Sequence, residues 1–311
     1  MWFRMQHLHR LWLTAFLVGL CPSNGSSAPP EAAATGSPAA VATVNGRPID
    51  ASELEFLYLV RGVPEAQQAA VRERFIEELI DQRLIADFLA SRRTEAASEE
   101  LDARVEAVRQ MIERGGHQPD EVFEKLGITD EMLRKTLALP LAWGQHVRRV
   151  VTEQQLAEYF AEHRARFDGT RRRIRQIVIT LPADADEAAQ TAALDTLEAV
   201  KSQIDAGTTT FEDAARTHSR SPSKEQGGDM GWAVYGQRLP QALANVAFDL
   251  APQSVSDPFL TRFGAHLLQV TDEEPGLLSL EDVRDEILAE IGRGLWDEQL
   301  ASERESAKIE R

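Results

Sequence analysis

His218, Ser219 and Asp229 are the residue types of a nucleophilic triad and fall close together in the chain. Adjacent positions 218 and 219 cannot easily form a base–nucleophile bond, and no GxSxG elbow is present to expose a serine. The motifs GxxxxGK[ST], HExxH, GxGxxG and the EF-hand loop are also missing, which removes nucleotide, zinc and calcium chemistry at motif level. Cys21 is the single cysteine, so an internal disulfide framework and a multi-thiolate metal site are excluded. Lysine and arginine total 34 against 50 acidic residues, for a net charge of −16. A partner that must be held by phosphate neutralisation is therefore excluded, which leaves out nucleic acid. What remains is Phe211–Val270, a stretch dense in glycine, aromatic and small polar residues.

The elements that must position this stretch follow from patterning. The 311 residues give room for two or three domains, and 43% hydrophobic with 27% charged residues is an ordinary globular balance. Arg4 and Arg10, the apolar run Leu11–Leu20 and the small residues Ser23–Ala28 read as an export signal over residues 1–28. Its removal takes away two positive charges and moves the net charge from −16 to −18. Cys21 offers a second reading, a lipid anchor at a lipobox, although Leu20 stands where a small residue is usual. Residues 29–40 (PPEAAATGSPAA) read as a flexible linker.

Asn45-Gly46 between Val41–Val44 and Arg47–Ile49 predicts a β-hairpin, and Ser52-x-x-Glu55 a capping box that opens a helix. Ile76, Leu79, Ile80, Leu84 and Phe88 give the buried stripe of an amphipathic helix over 64–90. Further helices are expected over 98–114, 120–125 and 129–150, the last with a kink at Pro140. Another capping box, Thr152-x-x-Gln155, opens a short helix ending near Arg166, so residues 41–168 read as a helical domain. Arg173–Leu181 then alternates as a strand, Glu187–Ala206 is a helix, and two short helices and a glycine-rich loop precede a strand at Ala265–Thr271. This is a compact α+β domain. From residue 279 onward Val283, Ile287, Ile291 and Leu295 mark a last helix whose stripe needs a partner elsewhere, and Gly292 and Gly294 should each weaken it by ~1 kcal/mol.

Phe211-x-x-Ala214-Ala215, Gly227-Gly228-Asp229-Met230-Gly231-Trp232, Val255-Ser256-Asp257-Pro258-Phe259 and Thr261-Arg262-Phe263-Gly264-Ala265-His266 follow one another. This set resembles the parvulin family of peptidyl-prolyl cis/trans isomerases, over residues 173–273. The segment 41–168, opening with VATVNGRPI, looks like the N-terminal chaperone module of SurA-like and PrsA-like export foldases. The resemblance implies an α+β fold class: a helical N-terminal module, a parvulin-type α+β domain, and a C-terminal helix over 279–311 docking on the N-terminal domain. It implies a substrate-binding proline cup from Met230, Leu243, Phe248 and Phe263, and a catalytic polar set of His266, Thr261, Gln176 and Arg220. Three positions depart from the family pattern. Gln176 replaces the usual histidine of the first strand, Arg220 stands where cysteine or aspartate is usual, and Arg238 stands where methionine often follows Gly-Gln.

The implied function is an exported isomerase and foldase acting on X-Pro bonds of unfolded secreted or envelope proteins, without cofactors. The alternative is a catalytically silent holdase that uses the same fold to bind extended chains, the reading Gln176 and Arg220 favour. Partners are then unfolded polypeptides, with membrane association only through Cys21. The acidic balance further predicts a preference for basic clients that weakens with salt.

Overall fold

The computed structural model describes residues 40–311. The export signal over 1–28, the lipidation reading at Cys21 and the linker through residue 39 lie outside the described residues. The described residues divide into two compact units, one formed by 40–152 together with 288–311, the other by 153–287.

The first unit starts with strands β1 (Ala40–Val44) and β2 (Arg47–Asp50), paired antiparallel through a turn in which Asn45 and Gly46 have φ of 51° and 77°. Those positive angles are what the Asn-Gly pair supplies. Helices α1 (Ala51–Val60), α2 (Glu65–Ser91), α3 (Ser98–Arg114), α4 (Pro119–Leu126) and α5 (Asp130–Val150) follow. The capping box of α1 is Asp50 with Glu53, two residues before the expected Ser52 pair, because the chain is already helical at Ala51. Pro140 sits inside α5 without ending it. The α2 stripe of Ile76, Ile80 and Leu84 packs with Val44 and Ile49 of the hairpin.

The C-terminal portion belongs to the same unit. Leu288, Leu295, Trp296 and Leu300 pack against Phe88, Trp143 and Val147. Trp143 Nε1 donates to the Gly292 carbonyl at 3.0 Å, and Trp296 meets Trp143 edge-on at 5.1 Å. A Cβ on Gly292 would lie 3.0 Å from a Val147 methyl, so this glycine marks a close approach between helices. A two-residue strand at Ile309–Glu310 adds to β1, completing a three-stranded sheet the sequence pattern did not announce.

In the second unit, helices α6 (Glu153–Glu162) and α7 (Arg164–Phe167) lead into β3 (Arg171–Thr180). Then come α8 (Glu187–Asp205), α9 (Phe211–His218), a 3-10 turn (Pro222–Gln226), β4 (Asp229–Val234), α10 (Gln241–Asp249), β5 (Phe259–Thr261), β6 (Gly264–Glu274) and α11 (Leu280–Ser306), which runs on into the first unit. The sheet order is β4-β3-β6-β5, antiparallel throughout. Helices α8 and α9 cover one face through Leu197 and Phe211 over Ile177 and Leu267. Helix α10 covers part of the other through Leu243 and Phe248 over Ile174 and Leu268.

The glycine-rich segment expected as a loop is in part a strand, β4. Its glycines let the chain run close to β3: a Cβ on Gly228 would lie 2.5 Å from the Gln176 carbonyl, and Gly228 has φ of 82°. The domain's two ends are also tied together. Leu278 N donates to the Asp168 carbonyl at 3.0 Å and Gly276 N to Thr170 Oγ1 at 3.0 Å.

Arg172 fixes α10 to this sheet. Its side chain is buried; Nη1 donates to the Ala247 and Leu250 carbonyls at 2.7 Å each, and Nε to Glu273 at 2.7 Å. The two carbonyls are among those a helix leaves unpaired at its C-terminal end. Arg172→Met should lower the unfolding free energy by about 2–4 kcal/mol, because it leaves those carbonyls buried without donors. Urea unfolding measures it, and a midpoint unchanged from the parent would refute the assignment.

Candidate functional site

The uncovered part of the α10 face carries the residues singled out from the sequence. Strand alternation sets Ile174, Gln176 and Val178 of β3 on one face, with Leu268 and His266 of β6 opposite Gln176 and Val178 in register. Phe259 of β5 is opposite His266. On β4, Ile174 pairs with Gly231 and Arg175 with Asp229, so Met230 is the extra residue of a bulge. A bulge re-aims its side chain, and Met230 joins the apolar cluster of Ile174, Leu243, Phe248 and Leu268. Leu243 and Phe248 are almost fully buried and form a floor, whereas Met230 and Phe259 are only partly covered.

Beside this apolar patch lies a network of neutral polar groups. His266 is 4% exposed; its Nε2 is 2.8 Å from Thr261 Oγ1, and its ring stacks on Phe259 with centroids 5.6 Å apart. Phe263 N donates to the same threonine oxygen at 3.1 Å. Nδ1 of His266 is buried with no hydrogen-bond partner. An unpaired buried acceptor costs less than an unpaired buried N–H, so the favoured tautomer carries its proton on Nε2 and donates to Thr261. Burial pushes the imidazole below its ordinary pKa range, which keeps it neutral.

Across β3, Gln176 Nε2 donates to Ser221 Oγ at 2.8 Å, and that oxygen lies 3.0 Å from Ser223 Oγ. Ser219 Oγ accepts from Val178 N at 3.2 Å and from Ser221 N at 3.1 Å, and Arg220 N donates to the Val178 carbonyl at 2.8 Å. The stretch Ser219–Ser223 thus occupies the half of the β3 edge that β4 leaves free. Asp229, at the start of β4, is held below the usual carboxylate range by the Arg173 guanidinium, with Gly231 N also donating to it.

Met230, Leu243 and Phe248 therefore come together as one cluster, and His266, Thr261 and Gln176 lie on or beside the same face. Two expected site residues are outside both the cluster and the network. Phe263 is 46% exposed on the β5–β6 turn under the Arg262 guanidinium, outside the apolar cluster. Arg220 is at the β3 edge, anchored by its backbone to Val178, and its exposed side chain joins neither the apolar cluster nor the hydrogen-bond network. Phe259 was missed among the individual site residues because its strand, three residues long, is too short to show an alternation. Ser219 was weighed only as a nucleophile and Ser221 was missed, because their role is to hydrogen-bond β3 and Gln176.

Residues 177–272 match the family model described as the PPIC-type PPIASE domain. Chaperone SurA of Polaromonas sp. is 39% identical over 110 residues, 35% of this chain and 23% of that protein. Foldase protein PrsA of Geobacillus kaustophilus is 28% identical over 230 residues, 73% of this chain and 71% of its own. A crystal structure of peptidylprolyl isomerase (PrsA) from Bacillus anthracis aligns with 75% of this chain and 96% of its own at 19% identity, with a TM-score of 0.42. The stretch shared with the SurA relatives spans about a quarter of their length. Residues 177–272 are thus a parvulin-type domain, set in a chain with SurA- and PrsA-like relatives.

The buried imidazole has a measurable consequence. A histidine whose folded pKa lies below its unfolded value of about 6.5 stabilises the fold above that pH, and the contribution is lost as pH falls through the folded value. His146, lowered mainly by burial with Arg92 and Arg149 adding, acts in the same direction. An NMR titration of the His266 ring should give a midpoint clearly below 6.5, with unfolding free energy declining on acidification below that pH. A midpoint at or above 6.5 would contradict the neutral network.

Proposed function

We propose that this chain is an exported peptidyl-prolyl cis/trans isomerase and foldase for unfolded secreted or envelope polypeptides, working without covalent chemistry. The observation that carries the reading is the one sheet face on which an apolar floor borders a buried, neutral hydrogen-bond network.

Rotation about an X-Pro bond meets a barrier of ~20 kcal/mol because the amide C–N bond is partly double. Lowering it requires binding the twisted amide better than either planar form. A proline ring fits against Met230 and Phe259 over the Leu243–Phe248 floor, where water is excluded. As conjugation is lost, the amide nitrogen gains basicity and the carbonyl oxygen loses negative charge. An uncharged network can follow both changes without proton transfer, and removal from water favours the less polar twisted state. His266 and Thr261 serve as positioning residues: they fix the Phe259 ring and the β5–β6 turn, while Gln176 borders the cup with its amide set by Ser221.

Export rests on the signal pattern of residues 1–28. The helical module supplies the surface that holds extended clients, which accords with the chaperone and foldase names of the relatives. A second reading, a holdase with a silent isomerase domain, is favoured by one observation: Gln176 cannot become cationic as the family's usual histidine can.

The test is isomerisation of short Ala-Pro peptides by the chain from Pro29 onward. Acceleration should fall about 10-fold or more in Met230→Ala and in the double variant Gln176→Ala, His266→Ala, since each removes a group favouring the twisted amide. Unaltered rates in the double variant would remove the polar network from the mechanism. No acceleration by the parent protein, with client aggregation still suppressed, would establish the holdase.

A further inference from the structure

The second unit is acidic, with twenty-three carboxylates against thirteen Lys and Arg side chains between residues 153 and 287. Nine of those thirteen cations, from Arg164 to Arg284, are ion-paired among the described residues. The four left without a carboxylate partner are Arg220, Lys224, Arg238 and Arg262, and all four lie on the segments that frame the candidate site. Arg220 is bonded through its backbone to Val178, the residue in register with His266. Lys224 is in the 3-10 turn that Ser221 caps and that includes Ser223. Arg238 is in the β4–α10 loop beside Leu239, which packs on the apolar cluster. Arg262 follows Thr261 and lies over the Phe263 ring at 4.6 Å.

In a domain with an excess of ten carboxylates, the four free cations all fall on segments around the site. Within the segments 219–240 and 259–266 the only acidic side chains are Glu225 and Asp229, and Asp229 is engaged by Arg173. Arg238 also stands at φ of 61°, a conformation that costs an L-residue free energy.

We propose that the site selects prolines preceded by a carboxylate residue, and that Arg220 is the side chain that reads it. This rests on the isomerase reading of the same cup. With the proline ring over the Leu243–Phe248 floor, the residue across the twisting bond sits along the polar border made by Ser219–Ser223 and the β5–β6 turn. Arg220 is the best-placed reader because its backbone is held on both sides, by Ser219 and Ser221, while its guanidinium is free. The local field is thus opposite to that of the whole chain, whose acidity alone predicts a preference for basic clients.

The test compares peptides of sequence Ala-X-Pro-Phe with X as Glu, Ala or Lys, following exchange rate and affinity by NMR in low and high salt. The Glu peptide should exceed the Lys peptide by about 5-fold or more in kcat/KM and in affinity, as a few partly exposed charge pairs allow. In 1 M salt, where the screening length is about 3 Å, the two should converge. Arg220→Gln should remove most of the discrimination, and Arg220→Lys should retain it. Equal handling of Glu and Lys, a preference for Lys, or discrimination unchanged in Arg220→Gln would overturn the proposal. Failure to accelerate any peptide, X as Ala included, would bring down the isomerase reading instead, and the affinity order would still decide the charge preference.

Discussion

A buried guanidinium holds the site's two layers together. Arg172 stands on β3 with its side chain inside the domain, and its donors go to two carbonyls at the end of α10 and to Glu273 of β6. A charge so placed is tolerated only when its hydrogen-bonding capacity is met, and here a strand, a helix end and a neighbouring strand meet it together. The same guanidinium lies 5.4 Å from the centre of the Phe248 ring. Arg166 adds a second tie, pairing with Asp249 and lying over Tyr235, whose ring meets Phe248 edge-on. The floor of the cup is therefore fixed by electrostatics at the rear of α10 as much as by apolar packing at its front.

The opposite border of the face is fixed by steric closeness. Gly228 passes so near the Gln176 carbonyl that no side chain fits, and its own carbonyl accepts from Gln176 N at 2.9 Å. Beyond that point Ser219 and Ser221 take over the β3 edge with side-chain oxygens. Gln176 is thereby held at both backbone and side chain. A binding face for a twisted amide must resist relaxing around the planar one, because only interactions stronger in the transition state speed the reaction. Clamping α10 on one side and Gln176 on the other serves that requirement.

Much of this was legible in the chain and some was not, for identifiable reasons. Asn45-Gly46 specified the hairpin through its backbone needs, and the four-residue rhythm of Ile76, Ile80 and Leu84 specified the buried side of α2. The spaced motifs pointed to the α+β fold and to Met230, Leu243 and Phe248 as neighbours. Strands β4 and β5 were hidden, one by glycines that suggested a loop and one by its length of three residues. The strand at Ile309–Glu310 has no pattern of its own and exists because β1 offers it an edge. Arg172 stood just before the expected strand start at Arg173, and nothing local tells a buried clamp from its exposed arginine neighbours. The unpaired cations were equally invisible, because pairing is a property of the folded molecule.

The central claim is that a twisted X-Pro amide is bound on the face shared by Met230, Phe259 and His266. Exchange spectroscopy of an Ala-Pro peptide with substoichiometric protein, read together with the protein's own amide shifts, tests it most directly. The account predicts faster cis/trans exchange and shifts centred on residues 229–231, 259–261 and 266. Faster exchange with shifts confined to the helical module, or exchange at the uncatalysed rate while those amides shift, would contradict it.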